Sequence, residues 1–298
     1  MDKGIAAPGR AVRIWRHPGT KLIVTVPFIV ATVTLLSVIS HLIPPPHNGA
    51  VKIAIGALAA AMFVGMYVLF CRLIERGPAR ELALKGAGIE LGAGILIGLG
   101  LFSSIVAAIW ACGGYSVVGH HGVEVLPPVV AMALASGFPE EIVFRGLFFR
   151  LFEKWLGSWA ALAITSAFFG GAHLFNPGAT WLAAVAIALE AGIMLGAIYM
   201  ITRRLWAAIG LHAAWNFAQG GIYGIAVSGG ATDGLLVPGS TKGVSTLITG
   251  GSFGAEASLP AMVVATAFGL LLLVIAHRRS RFIAPMRVRA RQGAGVQE

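Results

Sequence analysis

Eight long apolar runs constrain the fold of this chain more than any other feature. They cover residues 21–43, 51–71, 89–112, 127–149, 159–174, 181–201, 205–223 and 260–276. Each is close to the roughly 20 residues that a helix needs to cross the hydrocarbon core of a bilayer. Only helices and closed barrels satisfy every backbone polar group in lipid, and runs of this length favour helices. The sequence therefore predicts an all-α fold, a polytopic transmembrane helix bundle of about eight spans.

Composition and charge support the same class of protein. Charged residues make up 11% of the chain, whereas soluble domains have about 25%. The formal net charge of +10 is typical of nucleic-acid-binding proteins, but its distribution is not. The basic residues lie in loops and tails beside the apolar runs, and aromatic residues do not alternate with them as in a nucleic-acid groove. We therefore expect no nucleic-acid partner.

The distribution of Lys and Arg predicts the orientation in the membrane. The N-terminal arm, the loop 72–85, Arg203, Arg204 and the C-terminal tail are basic. The alternate loops 44–50, 113–124, 175–180 and 226–259 contain a single basic residue, Lys242. The positive-inside rule then places both termini in the cytoplasm. The basic loops and tail are expected to contact anionic lipids.

These signals divide the chain into six segments. They are a basic cytoplasmic arm (1–20), three N-terminal spans (21–112), a core of four spans (125–223), a Gly-rich extracytoplasmic loop (226–259), a last span (260–276) and a basic cytoplasmic tail (277–298). The third span contains Gly92, Gly94, Gly98 and Gly100. Small residues allow close helix approach in lipid, so this span is expected to pack tightly against another helix.

Two adjacent carboxylates, Glu140 and Glu141, interrupt the fourth apolar run. A charged residue at the bilayer centre costs about 2.5–3.5 kcal/mol on insertion scales, so two in a row need a reason. Arg145 lies one helical turn after Glu141, where the two side chains can form an ion pair. Glu140 points about 100° away around the helix and has no such local partner. An unpaired carboxylate in an apolar site is typical of a general base or a metal ligand.

Two histidines bring further polar groups into the spans. His173 lies one turn after Phe169 in the fifth span, and His212 lies one turn before Asn216 in the seventh. Residues four apart share a helix face, so each pair can present its side chains together. The fourth, fifth and seventh spans therefore each carry a polar group that can converge on one intramembrane site.

Two chemistries fit these residues. In the first, Glu140, His173 and His212 hold zinc or another divalent metal, which lowers the pKa of a bound water. In the second, no metal takes part: Glu140 activates water with the help of His173, and His212 and Asn216 donate hydrogen bonds to the oxyanion. No His-Glu-x-x-His motif occurs in the chain, and Ser136, Ser158 and Ser166 lack the context of a nucleophile elbow.

The three motifs together resemble those of a known family. Glu140-Glu141-x-x-x-Arg145, Phe169-x-x-x-His173 and His212-x-x-x-Asn216, in this order on successive spans, are similar to the motifs of the CPBP family. Its members are the CAAX prenyl endopeptidases and bacteriocin-processing intramembrane proteases, formerly grouped with abortive-infection proteins. The resemblance covers about residues 125–223.

The resemblance implies roles for these residues and a function for the chain. Glu140 would activate water, Glu141 would pair with Arg145 or assist, and His173 would work with Glu140. His212 and Asn216 would form the oxyanion site. The chain would then be an endopeptidase of a bacterial cytoplasmic (inner) membrane, metal-dependent or glutamate-dependent. It would cleave a membrane-associated peptide or protein, prenylated or of the leader type, that enters laterally or from the cytoplasmic side.

Other interpretations compete with this one. Glu190, a third intramembrane acid, has no basic residue within a helical turn. It is either a group that supports the site and the substrate path, or a neutral acid hydrogen-bonded to a neighbouring helix. The polar residues could also be packing contacts of a non-enzymatic membrane adaptor or immunity protein. A less favoured alternative is a proton or ion transporter that uses Glu140, Glu190 and His173 as relay groups.

Overall fold

The structure is a computed structural model that describes residues 9–42 and 48–294. The predicted all-α class is confirmed. The helices are α1 (Arg10–Arg16), α2 (Pro18–Leu42), α3 (Gly49–Leu73), α4 (Ala87–Ala111), α5 (Leu126–Glu141), α6 (Arg150–Leu156), α7 (Ser158–Ala172), α8 (Trp181–Ile187), α9 (Ile193–Thr202), α10 (Trp206–Asn216), α11 (Thr246–Thr249), α12 (Leu259–Arg278) and α13 (Met286–Ala294). Strands β1 (Val117–His120) and β2 (Leu236–Pro238) form one antiparallel pair.

Three stretches of π-helix join these elements within the core. Ile142–Phe149 connects α5 to α6, Ala188–Gly192 connects α8 to α9, and Phe217–Ile222 continues α10. Among the described residues, seven helices are long and apolar enough to cross a membrane. The seventh predicted span, 205–223, is α10 with its π-helical extension, 11 residues followed by 6. Most residues of this segment are buried inside the bundle.

The fourth span is longer than its sequence predicts. The predicted run 127–149 lies within a continuous helical segment, Val123–Leu156, of 34 residues. At 1.5 Å per residue this segment is about 50 Å long, against about 30 Å for a hydrocarbon core. Glu140 lies near its middle. Its basic end, from Arg150, lies beside Glu75 on the side where the other Lys and Arg residues lie.

The tightest helix pair in the bundle is α4 with α10. A Cβ built on Gly94 would lie 2.2 Å from the carbonyl oxygen of Ala207, and one on Gly210 would lie 2.4 Å from that of Leu91. The close helix packing expected of the third span therefore occurs at Gly94, and also at Gly98. Gly92 and Gly100 make no such close contact, because a Cβ at either position would have no described atom within 4 Å.

This difference gives a matched pair of substitutions on one helix. Gly94→Ala is expected to lower the free energy of unfolding by about 1–3 kcal/mol, because the added methyl group forces backbone atoms apart. Gly100→Ala is expected to cost nothing, since the site is open and Ala favours helix over Gly. Reversible unfolding in mixed micelles would measure both, and equal effects at the two positions would contradict the packing argument.

Two loops that sequence analysis treated as unstructured are ordered against each other. Residues 113–124 contain β1 and residues 226–259 contain β2, paired in register at Gly119 with Val237 and His120 with Leu236. The His121 Nδ1 atom lies 2.9 Å from the carbonyl oxygen of Gly234. The polar composition of these loops predicted only that they do not span the membrane. Their pairing depends on contacts more than 100 residues apart, which local patterns do not contain.

The opposite end of the bundle is held by a cluster of ion pairs around Glu75. Its carboxylate lies 2.6 Å from the Arg150 guanidinium and 3.5 Å from the amino groups of both Lys21 and Lys154. Burial by itself would raise the pKa of Glu75, but the cations, Arg150 first, lower it below its ordinary value of 4.5. These contacts tie the loop after α3 to α2 and α6.

The lowered pKa of Glu75 predicts an acid-sensitive contribution to stability. A carboxyl group whose folded pKa lies below its unfolded value stabilises the protein above the unfolded value, and this stabilisation is lost as the pH falls through the folded pKa. We therefore expect the free energy of unfolding to fall below about pH 4.5, and to fall less steeply in Glu75→Gln. Unfolding in micelles at a series of pH values would test this, and identical slopes for the two proteins would contradict it.

Both predicted terminal segments are only partly described. The arm 1–20 contains α1, and the tail 277–298 contains α13. Residues 1–8, the Pro-rich end of the first span within 43–47, and residues 295–298 lie outside the described part of the chain. The cytoplasmic placement of both termini and the contact of the tail with anionic lipids stay predictions.

Candidate functional site

Glu141 is the centre of a buried polar group. Its Oε1 atom accepts hydrogen bonds from Arg145 Nη1 at 2.7 Å and from His212 Nδ1 at 2.9 Å. The side chain of Glu141 has no exposed surface, and that of Arg145 is 2% exposed. The predicted ion pair with Arg145 is therefore present. The bond to His212 was not anticipated, because it joins α5 to α10 across 71 residues.

Arg145 also contacts the other helices of the site. Its Nη2 atom donates a hydrogen bond to the carbonyl oxygen of Ala191 at 2.9 Å. Its guanidinium lies 4.6 Å from the ring centroid of Phe169, in the geometry of a cation–π contact. Phe169 thus has a second neighbour besides His173, whose ring centroid is 4.9 Å away. Arg145 therefore links three helical segments and fixes the position of Glu141.

Glu140 lies beside this group but is not part of its hydrogen bonds. Its side chain is 32% exposed, and its Oε2 atom lies 3.8 Å from His212 Nε2. No hydrogen-bond partner for this atom is found in the described part of the chain. Glu140 therefore keeps a carboxylate oxygen without a hydrogen bond beside the cavity. Glu141 uses Oε1 for both of its bonds, and its Oε2 atom likewise has no hydrogen-bond partner among the described residues.

The two histidines are oriented in the same way. His173 Nδ1 lies 2.7 Å from the carbonyl oxygen of Phe169, and His212 Nδ1 lies 2.9 Å from Glu141. These acceptors assign the proton of each ring to Nδ1, because an oxygen acceptor requires an N–H donor. In the neutral ring, each Nε2 atom is then left as an acceptor. Both imidazoles line the same cavity.

Asn216 is held by a short chain of hydrogen bonds. Its Nδ2 atom donates to Ser136 Oγ at 2.8 Å, and Ser136 donates to the carbonyl oxygen of Met132 at 3.0 Å. An asparagine amide nitrogen carries two hydrogens, so one remains for a ligand. Ser136 was considered in sequence analysis only as a nucleophile. In the structure, the Ser136 hydroxyl instead accepts the hydrogen bond of Asn216 and so orients the amide of that side chain.

One cavity of about 240 Å³, here called the site cavity, is bordered by five of these side chains, Ser136, Glu140, His173, His212 and Asn216. It is lined by Met132, Ser136, Glu140, His173, Asn176, Pro177, His212, Asn216, Val227, Ser228 and Gly230. A smaller cavity of about 40 Å³ lies on the other side of His173 and His212 and is also lined by Glu190 and Glu256. The structure therefore brings the residues of the three motifs together.

Glu190 and Glu256 form a second acidic feature behind the histidines. Their side chains are 1% and 5% exposed, and the Oε1 atom of each lacks a hydrogen-bond partner among the residues described. Glu190 lies in the π-helix Ala188–Gly192. Such a position beside the site fits the interpretation of Glu190 as a supporting group.

Sequence analysis missed Glu256 altogether. The Gly-rich loop that contains it was placed outside the core, but this acid lies directly before α12 and reaches the small cavity. Burial raises the pKa of Glu256, and the hydroxyl of Ser228 opposes the shift. The available signal was an isolated acid in an otherwise apolar and small-residue stretch, which the overall polarity of the loop obscured.

The π-helices occur at the motif residues. One begins directly after Glu141, one contains Glu190 and one begins directly after Asn216. A π-helical turn adds a residue to the helix and is frequent at functional sites. Here the wider turns change the helix face after each polar residue, so that the apolar residues that follow can return to the core.

The donor atoms at the site are of the types that bind a divalent metal. Glu140 Oε2 and the Nε2 atoms of both histidines are free, and the Nδ1 atoms have the oxygen acceptors usual behind metal-binding histidines. The spacing does not fit, however. Within residues 9–42 and 48–294, no three His, Cys, Asp or Glu side chains are grouped closely enough to hold a metal ion. We therefore derive no step through a metal, and metal dependence stays a prediction.

Comparison with known proteins points to one family. Residues 122–218, about a third of the chain, match the family described as Type II CAAX prenyl endopeptidase Rce1-like. No curated protein and no solved structure matched the chain. The matched range contains Glu140, Glu141, Arg145, Phe169, His173, His212 and Asn216, as well as Glu190. Residues 122–218 of this chain are thus similar to the CAAX prenyl endopeptidase family, as the three motifs predicted.

Proposed function

We propose that this protein is an intramembrane endopeptidase that hydrolyses a peptide bond of a membrane-associated substrate. One observation supports this most directly: Glu140 presents an unpaired carboxylate to a cavity that His173, His212 and Asn216 also line. This arrangement lies within the segment that matches an endopeptidase family. A bacterial cytoplasmic membrane is the proposed location.

Glu140 acts as the general base in the proposed reaction. Its carboxylate removes a proton from a water molecule in the site cavity, and the oxygen of that water attacks the carbonyl carbon of the scissile bond. The Nε2 atom of His173 accepts the second hydrogen bond of the water and so orients it. A positioned base of this kind contributes about 10²–10⁴-fold to the rate.

Asn216 and His212 stabilise the oxyanion that forms on the carbonyl oxygen. The free N–H of Asn216 donates directly, because Ser136 occupies only the other one. His212 donates from Nε2 only when its ring is protonated, since Nδ1 is bonded to Glu141. The carboxylate of Glu141 stabilises that protonated ring. Glu140 then returns its proton to the amide nitrogen, and the C–N bond breaks. The products are a carboxylic acid and an amine, and the proton of the acid passes to the amine to give a carboxylate and an ammonium group.

The alternative functions explain fewer of the contacts at this site. In an adaptor or immunity protein the polar group would serve packing alone, and Glu141, Arg145 and His212 would suffice for that. The unpaired carboxylate of Glu140 would then have no role. In a proton transporter, Glu190 and His173 would belong to a path across the membrane, whereas here they border two cavities beside one site.

The test compares the N- and C-termini of membrane proteins by mass spectrometry. It uses cells that express the wild type and cells that express Glu140→Gln at matched levels. We expect new paired termini only with the wild type, which would also identify the substrate. Equal sets of termini from two folded and equally abundant proteins would refute the proposal and favour the adaptor.

A further inference from the structure

The site cavity opens toward one end of the helix bundle. Besides the motif residues, its walls are Asn176 and Pro177, which follow α7, and Val227, Ser228 and Gly230, which follow the π-helix after α10. Both segments are connections at the same end. None of the described lining residues comes from the loop 72–85 or from Arg203 and Arg204 at the other end.

A second, larger cavity adjoins it at this end, here called the outer cavity. Its volume is about 460 Å³, and its charged lining residues are Lys52, Glu124 and Asp233. Met132 lines both cavities, and Ala231 of the outer cavity follows Gly230 of the site cavity in the chain. The two cavities therefore lie side by side, with Met132 as a shared wall.

The distribution of charge identifies the side of the membrane. The end with the two cavities carries Lys52 and Lys242 as its basic residues in the described part of the chain. The opposite end carries the basic residues of the loop 72–85, of α6, of the turn after α9 and of the tail. Basic residues mark the cytoplasmic side of membrane proteins. The cavities therefore face away from the cytoplasm.

We infer that the substrate reaches Glu140 from the extracytoplasmic side, as an extended peptide whose polar part lies in the outer cavity. This inference rests on the proposed function and specifies its substrate: a membrane-anchored chain with its scissile bond on the extracytoplasmic side. It replaces the expectation of entry from the cytoplasm. The charges of Lys52, Glu124 and Asp233 favour peptide groups over a hydrocarbon chain, which could not satisfy them.

The chain offers a direct test of sidedness. Cys112 is exposed at the end with the cavities, whereas Cys71 is buried. A membrane-impermeant maleimide should label wild-type protein at Cys112 in intact spheroplasts. In a Cys112→Ser background, Ala231→Cys probes the outer cavity and Lys85→Cys probes the opposite end, where Lys85 is exposed.

We expect Ala231→Cys to be labelled in intact spheroplasts and Lys85→Cys only in inverted vesicles. The reverse pattern would overturn the inference. Because labelling needs no catalysis, this result stands or falls separately from the proposed function.

The second arm asks whether the outer cavity is the path of the substrate. A bulky impermeant maleimide on Ala231→Cys should lower the yield of the wild-type termini at least tenfold, whereas the same reagent on Lys85→Cys should leave it unchanged. Undiminished cleavage by labelled Ala231→Cys would overturn the path. If the unlabelled wild type produces no new termini, the proposed function fails, while the labelling pattern still decides which side the cavity faces.

Discussion

Glu140→Gln is expected to lower the rate of peptide-bond hydrolysis by about 10²–10⁴-fold, the contribution of a positioned general base. Gln keeps the size and shape of the side chain but cannot accept the proton of water. The fold should be unaffected, because Glu140 Oε2 has no hydrogen-bond partner in the described residues and the side chain is 32% exposed. We expect a change of at most about 0.5 kcal/mol in the free energy of unfolding.

The measurement is the cleavage rate of an identified substrate by purified protein in micelles, with unfolding followed in the same micelles. Glu90→Gln is a suitable control, since it removes a carboxylate 3.0 Å from Arg204 at the far end of the bundle. It should leave the rate unchanged. A Glu140→Gln protein that cleaves within threefold of the wild type, or one that unfolds readily, would remove Glu140 from the proposed role.

The sequence predicts those parts of the site that depend on local spacing. Residues four apart on a helix lie on one face, so the pairing of Glu141 with Arg145 and the proximity of Phe169 to His173 follow from the sequence alone. The apolar runs likewise give the positions of the other long helices to within a few residues, because a span must match the thickness of the bilayer. The fourth span, which extends to Leu156, is the exception.

Contacts between distant segments were not predictable in this way. The bond between His212 and Glu141, the orientation of Asn216 by Ser136 and the approach of Glu256 each join residues from different helices or loops. Their formation depends on how the helices cross, and that in turn depends on contacts such as the one at Gly94. The direction in which the site cavity opens also depends on how the helices cross. The position of His173 at the end of α7, rather than deep within it, placed the site toward the loops that the distribution of Lys and Arg predicts to be extracytoplasmic.

The second large effect is expected at Glu141, where the consequence is structural. Glu141→Gln leaves the buried guanidinium of Arg145 without its ion-pair partner, and Arg145→Met leaves the carboxylate of Glu141 without its own. Removing one member of a buried ion pair costs about 3–5 kcal/mol, because the remaining charge stays desolvated. Each single variant should therefore lose about that much free energy of unfolding, far more than Glu140→Gln one residue away.

The double variant distinguishes an uncompensated charge from a simple loss of packing. With both charges absent, no desolvated ion remains, so Glu141→Gln with Arg145→Met should be more stable than the sum of the single effects predicts, by about 0.5–3 kcal/mol. Unfolding of all four proteins in mixed micelles would measure this. Strictly additive losses would mean that Arg145 acts through its contacts with Ala191 and Phe169 alone. A positive coupling would instead explain why an apolar helix carries two adjacent glutamates: one is neutralised by Arg145 and supports His212, and that leaves the other free to act on water.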